Sequence, residues 1–245
     1  MIDFHTHILP GMDDGAENVS VSLEMLNAAI RQGISHVVLT PHFSAYREYP
    51  DRFLKRRSQS ANLLRESMPE NSPLLFMGAE VQYFSGIAAM DSVRNLCVSG
   101  TDLLLLEMPV CRWSLGMIDE LLELNSRNDL KIMVAHIERC IGQQGTGVME
   151  ELIRSGVMLQ ANCRTFLSPF ARRKVLRWLK TGWIHALGTD CHGNDKRKVN
   201  MEPCVSLIER KLGRDCSERL NQIGRELLCG AVPLNREAER NDIFE

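Results

Sequence analysis

Residues 2–16 read "IDFHTHILPGMDDGA", and how this stretch is read decides the fold. Ile2–Phe4 reads as a short strand. His5 and His7 follow it, and then a turn-rich loop of Pro10, Gly11 and Gly15 carries Asp13 and Asp14. The same grammar recurs along the chain: a short apolar run, an ionisable residue at its end, then a helical stretch. The runs are Ile2–Phe4, His36–Thr40, Leu74–Ala79, Asp102–Leu106, Lys131–Ala135, Val157–Ala161 and Ile184–Gly188. Most are nearly continuous in apolar character, which suits parallel strands covered on both faces.

Helical patterns separate the runs. "VSLEMLNAAIRQG" places Val21, Met25, Ala28 and Ala29 on one face and ends on Gly33 as the residue after the helix. Pro50 and Asp51 precede the basic run "DRFLKRRSQSANLLRESM". "WSLGMIDELLELNSRN" and "GTGVMEELIRSG" are further helices, and "SPFARRKVLRWLKTG" is expected to start with Ser168 as N-cap and Pro169 at its first position. Seven strands with helices between them predict an α/β fold, a (β/α) barrel of seven strands. The expected domain covers residues 1–230. The remaining 231–245, including the charged "NREAERNDIFE", are expected to form a mobile tail outside it.

Composition narrows the function. A chain of 245 residues can bury one large core. With 44% hydrophobic and 24% charged residues and a net charge of −2, nothing points to nucleic acid or to an acidic membrane surface. The N-terminus lacks a basic segment followed by an apolar one, so no secretory signal is expected. No apolar run approaches the ~18 residues of a membrane span. The eight cysteines form no C-x-x-C pair and read as reduced thiols of a cytoplasmic protein. Repeats and low-complexity linkers are absent from the sequence.

The ionisable residues fall at the strand ends. His5, His7 and Asp14 follow the first strand, His42 the second in "LTPHF", and Glu80 the third in "MGAE". Glu107 follows the fourth in "LLLLEMP", His136 the fifth in "MVAHIER", and Asp190 and His192 the seventh in "LGTDCH". The sixth run ends in "ANCRT" without an obvious ligand. In a parallel barrel these ends converge on one face, where such folds build their sites. Imidazole and carboxylate are ligands for zinc, manganese or iron, and carboxylates can bridge two ions. A carboxylate closing an apolar strand is costly to desolvate, and a cation offsets that cost. Taken singly each residue has an ordinary reading: a satisfied loop histidine, an Asp-Gly turn, a carboxylate paired with arginine. Their shared placement favours a metal site. His36 and His185 lie within or beside strands and read as structural or surface residues. Within the opening loop Asp3 belongs to the strand, and Asp13 is expected to shape the turn.

"HTHILPGMDDGA", "TPHF", "GAE", "LLLEMP", "AHIER" and "TDCH" together resemble, in order and spacing, the successive motifs of the PHP (polymerase and histidinol phosphatase) superfamily. The extended first motif is most similar to its CpsB/CapC/YwqE group of bacterial manganese-dependent protein-tyrosine phosphatases, tied to capsule and exopolysaccharide synthesis. The resemblance spans Ile2 to about Arg197. It implies a distorted seven-stranded (β/α)7 TIM-like barrel, the PHP fold, holding two or three divalent ions, with manganese first and iron, zinc or magnesium as alternatives. It also implies a phosphotyrosyl protein substrate, such as the tail of a bacterial tyrosine kinase or an exopolysaccharide regulator. Four positions depart from the group's pattern. Phe43 stands where a second histidine is usual, Ile137 where proline is, "NCRTF" where a Gly- and Ser-rich stretch is, and Gly193 where asparagine is. None removes a ligand; all bear on substrate choice.

The chemistry expected of such a site is phosphomonoester hydrolysis by a metal-bound hydroxide. Arg139 is the first candidate for a phosphate clamp and Arg197 the second, because a guanidinium can bind two oxygens at once. Arg47, Arg52, Lys55, Arg56 and Arg57 could steer acidic phosphopeptides but read first as a solvated helix face. Cys191 and Arg197 satisfy the C-x5-R spacing of cysteine-dependent phosphatases, as do Cys204 and Arg210. The intervening "HGNDK" lacks the small residues that wrap backbone amides around phosphate, so a thiol route is the minor alternative. The competing functions are a small-molecule phosphatase acting on histidinol phosphate or a sugar phosphate, a nuclease, and a non-catalytic, metal-containing regulatory module. The absence of a basic, aromatic-studded groove argues against the nuclease. A homo-oligomer is compatible with the sequence.

Overall fold

The structure is a computed structural model in which residues 1–236 are described. Its strands are β1 (Ile2–Thr6), β2 (His36–Leu39), β3 (His42–Phe43), β4 (Leu74–Met77), β5 (Glu80–Gln82), β6 (Leu103–Glu107), β7 (Lys131–Val134), β8 (Met158–Asn162) and β9 (Ala186–Gly188). The helices are α1 (Val19–Arg31), α2 (Pro50–Arg65), α3 (Leu115–Ser126), α4 (Thr146–Arg154), α5 (Cys163–Leu167), α6 (Arg172–Lys180), α7 (Met201–Leu212) and α8 (Arg214–Leu227). The strands pair in parallel, in the orders β1-β2-β4 and β3-β5-β6-β7-β8-β9.

Seven strands were expected, and nine are found among the described residues. The second run breaks between Leu39 and His42, where Pro41 has no N–H to give to a ladder. The third breaks between Met77 and Glu80 at Gly78, where a side chain would press to 3.1 Å from Val38 Cγ1. Pairing bridges both breaks, since Gly78 N donates to Leu39 O (2.9 Å) and Glu80 N to Pro41 O (3.1 Å). The chain after β9 returns beside β1: Asp190 N donates to His5 O (2.8 Å) and His7 N to Cys191 O (3.1 Å).

Both faces of the sheet are buried, and the pleat sorts the side chains between them. Leu103, Leu105 and Met133 join Ile2, Phe4, Val38, Phe76 and Ala186 in one apolar cluster. Their neighbours Leu104, Leu106, Ile132 and Val134 belong to the larger core. Leu228, just past α8, completes the smaller cluster. Gly224 lets α8 approach closely, for a side chain there would lie 2.8 Å from Ile2 Cδ1. Of the expected mobile tail, residues 231–236 run against the sheet instead. Val232 N donates to Ser99 O (3.1 Å), and Asn235 Oδ1 accepts from Leu75 N (3.2 Å). Residues 237–245 lie outside the described residues.

The helix ends follow local chemistry in most cases. Asn18 caps α1 through Val21 N, and Gly33, at φ +66°, takes the left-handed conformation that ends it. Ser114 caps α3. The expected Ser168 cap is a correction: Ser168 ends α5, and α6 begins only at Arg172. The "NCRTF" stretch is helical over Cys163–Leu167, so Ser168 is already satisfied there, its N–H donating to Arg164 O (3.1 Å).

Candidate metal centre

The opening stretch reaches the site through an irregular strand. Asp3 pairs with Val37 and Thr6 with Leu39, so β1 carries one more residue than β2 between those pairs. Such a bulge re-aims side chains. Ile2 and Phe4 enter the apolar cluster, whereas His5 and His7 turn to the polar end of the fold. Their Nε2 atoms face each other at 3.1 Å. Gly15 and Gly188 leave them room: a side chain on either would come within 2.5 Å of His7 or His5 Cβ.

The nine expected ligands meet there. Glu80 Oε2 lies 3.0 Å from His5 Nε2, 3.3 Å from His7 Nε2 and 2.9 Å from His42 Nδ1. Its other oxygen lies 2.7 Å from His136 Nε2, which also faces Glu107 at 3.4 Å. Asp190 Oδ1 stands 3.6 Å from His7 Nε2 and 3.5 Å from His192 Nδ1. Asp14, on the exposed rim, reaches His42 Nε2 (3.4 Å) and His192 Nε2 (3.3 Å). Three overlapping sets bring their ligand atoms within 4.8 Å of one another: His7, Asp14, His42 and His192; His5, His7 and Asp190; and His42, Glu80 and Glu107.

This donor set fits cations better than it fits itself. Glu80 Oε2 and His192 Nε2 are buried, yet no neighbour meets either in hydrogen-bond geometry. Two imidazole nitrogens at 3.1 Å can share only one proton between them. The backbone is also held off its usual conformations. His136 (φ +29°) and Asp190 (φ +52°) are the non-glycine residues with positive φ among the described residues, and both are candidate ligands. Hydrogen bonds pin both: His136 N donates to Gln160 Oε1 (2.7 Å) and Asp190 N to His5 O (2.8 Å).

Electrostatics tie the group together. Burial disfavours charge on His7, but Asp13 and Glu80 beside it outweigh this and carry its pKa up to about 10. Burial likewise opposes a charged His136, and Glu107 and Glu80 raise it to about 9. Burial would raise Asp190, yet the charges of His5, His7 and Arg197 bring it down to about 2. Burial and the charge on His7 push His192 down to about 4. Without ions, protons on histidines balance the carboxylates; a cation entering here displaces those protons.

A second layer orients the ligands, and sequence reading missed most of it. Asp13 shapes its turn by accepting from Gly15 N (2.9 Å), and it does more. Its Oδ2 holds His7 Nδ1 (2.7 Å) and His42 N (2.9 Å). This puts the His7 proton on Nδ1 and leaves only Nε2 for a cation, so the two sets that share His7 compete for one atom. Gln160 Oε1 meets His5 Nδ1 (3.2 Å), and Asn162 Nδ2 donates to Asp190 Oδ2 (2.7 Å). Asp3, fully buried, accepts from Thr189 N (2.9 Å) and from His5 N (3.2 Å). The available signal was Gln160 and Asn162 breaking the apolar run of the strand that showed no ligand.

Arg139 and Arg197 both reach Asp190. Arg139 Nη2 lies 2.7 Å from Oδ2 and Arg197 Nη2 2.5 Å from Oδ1, and Arg197 Nη1 faces Asp14 at 3.6 Å. Cys191 is fully buried and burial pushes its thiol far up, so it has no thiolate to offer. Cys204 is buried within α7. All eight cysteines are free, and no helix among the described residues is long and apolar enough to cross a membrane.

The family model described as capsular polysaccharide synthesis, CpsB/CapC, matches residues 1–226. The tyrosine-protein phosphatase YwqE of Bacillus subtilis is 26% identical over 242 residues, covering 93% of this chain and 91% of that one. The tyrosine-protein phosphatase CpsB of Streptococcus agalactiae is 25% identical over 235 residues, covering 91% and 94%. A crystal structure from work on YwqE of Bacillus subtilis and CpsB of Streptococcus pneumoniae, described there as unique metal-dependent tyrosine phosphatases, superposes with a TM-score of 0.80. It shares 24% identity over 95% of this chain and 96% of that one, which establishes the fold.

Proposed function

We infer the activity from one premise: the chain belongs to the CpsB/CapC family of capsular polysaccharide synthesis proteins. We propose that it is a metal-dependent protein-tyrosine phosphatase of the PHP type, with the seven strand runs forming a distorted barrel. The observation that carries this reading is the convergence of imidazoles and carboxylates from six strand ends in one cluster, where Arg139 and Arg197 both pair with Asp190. Its relatives in Bacillus and Streptococcus are named tyrosine-protein phosphatases, which supports the substrate class.

His5, His7, Asp14, His42, Glu80, Glu107, His136, Asp190 and His192 would hold two or three divalent ions, manganese first. Such ions, when bound, lower the pKa of a bound water and neutralise phosphoryl charge. The chain's own groups do the rest. Asp13 and Gln160 fix the ring orientations of His7 and His5. Arg139 and Arg197, held at Asp190, grip phosphoryl oxygens in bidentate fashion. A tyrosyl leaving group departs as a phenolate with a pKa of ~10, so the chain need not supply a strong acid. The substrate is a phosphotyrosyl protein, such as a bacterial tyrosine kinase or an exopolysaccharide regulator, met in the cytoplasm.

The test is the purified protein with its metal content measured, assayed with Mn²⁺ on phosphotyrosyl peptides, histidinol phosphate and sugar phosphates. Turnover of the peptides, lost in EDTA and restored by Mn²⁺, is expected. Turnover of the small phosphates with none of the peptides would overturn the substrate assignment.

A further inference from the structure

The metal centre opens into a cavity of 640 Å³ that His42, Asp14 and Glu107 share with the residues around the start of α2. That size lies within the ~300–1,000 Å³ of pockets that take whole small ligands, and exceeds the needs of one phosphorylated side chain. The structure divides the basic run that lines it. Arg57 is core: it is buried, donates to Gly78 O (2.6 Å) and lies over the Phe53 ring. Arg56 is a strut: it donates to Met12 O (3.1 Å) and pairs with Glu48 (3.4 Å). Lys55 is exposed on α2 outside the cavity lining, whereas Arg47 and Arg52 are exposed and line the cavity.

Charge accounting singles these two out. Every carboxylate on the cavity wall already has a partner: Asp13 has His7, Asp14 has His42 and His192, Glu107 has His136, and Glu48 has Arg56. Among the described residues, Arg47 and Arg52 have neither an ion pair nor a side-chain hydrogen bond. A merely solvated helix face would point such residues at open water. Here they line the concave approach to the site that receives the phosphate.

We propose that Arg47 and Arg52 form an anion subsite that reads a second negative group on the substrate, close in sequence to the phosphotyrosine. The group is a carboxylate side chain or a second phosphate, both of which a guanidinium binds in fork geometry. The inference rests on the phosphatase reading above, and the experiment separates the two. Three phosphotyrosyl peptides of one sequence carry glutamine, glutamate or a second phosphotyrosine beside the scissile residue, with free phosphotyrosine as the reference substrate. Failure on every substrate, free phosphotyrosine included, would sink the phosphatase reading itself.

With turnover in hand, the readout is the ratio of kcat/KM between a doubly anionic peptide and the glutamine peptide. We expect roughly tenfold or more in the wild type at low salt, expressed mainly in KM and shrinking as salt screens it. A preference for glutamate identifies the carboxylate as ligand, and one confined to the second phosphotyrosine identifies phosphate. The ratio falls to about one in Arg47→Ala/Arg52→Ala. It falls below one in Arg52→Glu, a change at an exposed position that folding tolerates. A wild-type ratio near one, or a ratio that survives both variants, would overturn the subsite.

Discussion

Histidines at the two ends of the strands are pushed in opposite directions. At the C-terminal end, neighbouring carboxylates overcome burial and raise His7, His42 and His136. At the N-terminal end, burial prevails and nearby cations add to it, lowering His36 beside the N-terminal amine and Arg225, and His185 beside Arg219. One end gathers negative charge that awaits cations. The other carries the smaller apolar cluster, with Ile2, Phe4, Leu103 and Met133. The same strands pass through both, with a bulge in β1 and breaks at Pro41 and Gly78 at the changeover. His192, lowered to about 4, is the exception at the site end, because it sits against the raised His7 and beside Arg197. The lesson is a division of labour: apolar packing fills the face where the pleat is regular, and the candidate ligands gather where it is interrupted.

Ligand removal gives the largest break in that comparison. His7→Ala and Asp190→Ala should lose several kcal/mol of transition-state stabilisation, roughly a thousandfold in kcat/KM, while circular dichroism stays native. Wild-type rates in both on every active substrate would mean the site is misassigned. At the opposite end, Phe4→Ala should do the reverse. Truncating a buried phenylalanine costs about 3–5 kcal/mol, or roughly 10 °C in Tm, and the fraction still folded should keep its metal content and turnover. Equal loss of metal in this variant would argue that the two ends are one cooperative unit.

Asp13→Asn tests the second layer. Losing the carboxylate that orients His7 should weaken metal affinity about 10–100-fold, with activity recovered at high Mn²⁺, as metal titration will read directly. The smallest effect belongs to His185. Its Nδ1 accepts from Leu159 N (3.1 Å), so the folded protein holds the ring neutral. With its folded pKa below the ordinary 6.5, its contribution is present above that value and is lost as pH falls through it, when the unfolded chain takes up a proton first. Denaturation midpoints of His185→Gln between pH 7.5 and 5 should fall less than those of wild type; parallel slopes would remove His185 from the account.

Much of the site was legible because strand ends are legible. Glu80, Glu107 and His136 each close an apolar run, and a charged residue in that place is too costly to be incidental. The neighbours Asp13 and Asp14 show where legibility stops. They are chemically identical, yet one is the buried orienter of two histidines and the other a rim residue shared by His42 and His192. Only the path of the loop separates them. Arg52, Arg56 and Arg57 likewise look alike in the sequence, and the packing of α2 makes one a cavity-lining cation without an ion pair among the described residues, one a strut and one part of the core. Ser168 followed by proline looked like a helix start, but the short α5 had already claimed it.

By itself, then, the sequence determined the alternation of parallel strands and helices and marked the nine histidines and carboxylates that the fold gathers at the candidate site. Hydrophobic periodicity and the cost of burying charge are local properties that residue order carries. Tertiary structure alone decided which nitrogen of His7 is free, how Gln160 and Asn162 support His5 and Asp190, that residues 231–236 run against the sheet, and which arginines at the cavity lack an ion pair among the described residues. Each of these depends on groups distant in sequence meeting at hydrogen-bond range, and no local pattern encodes such a meeting.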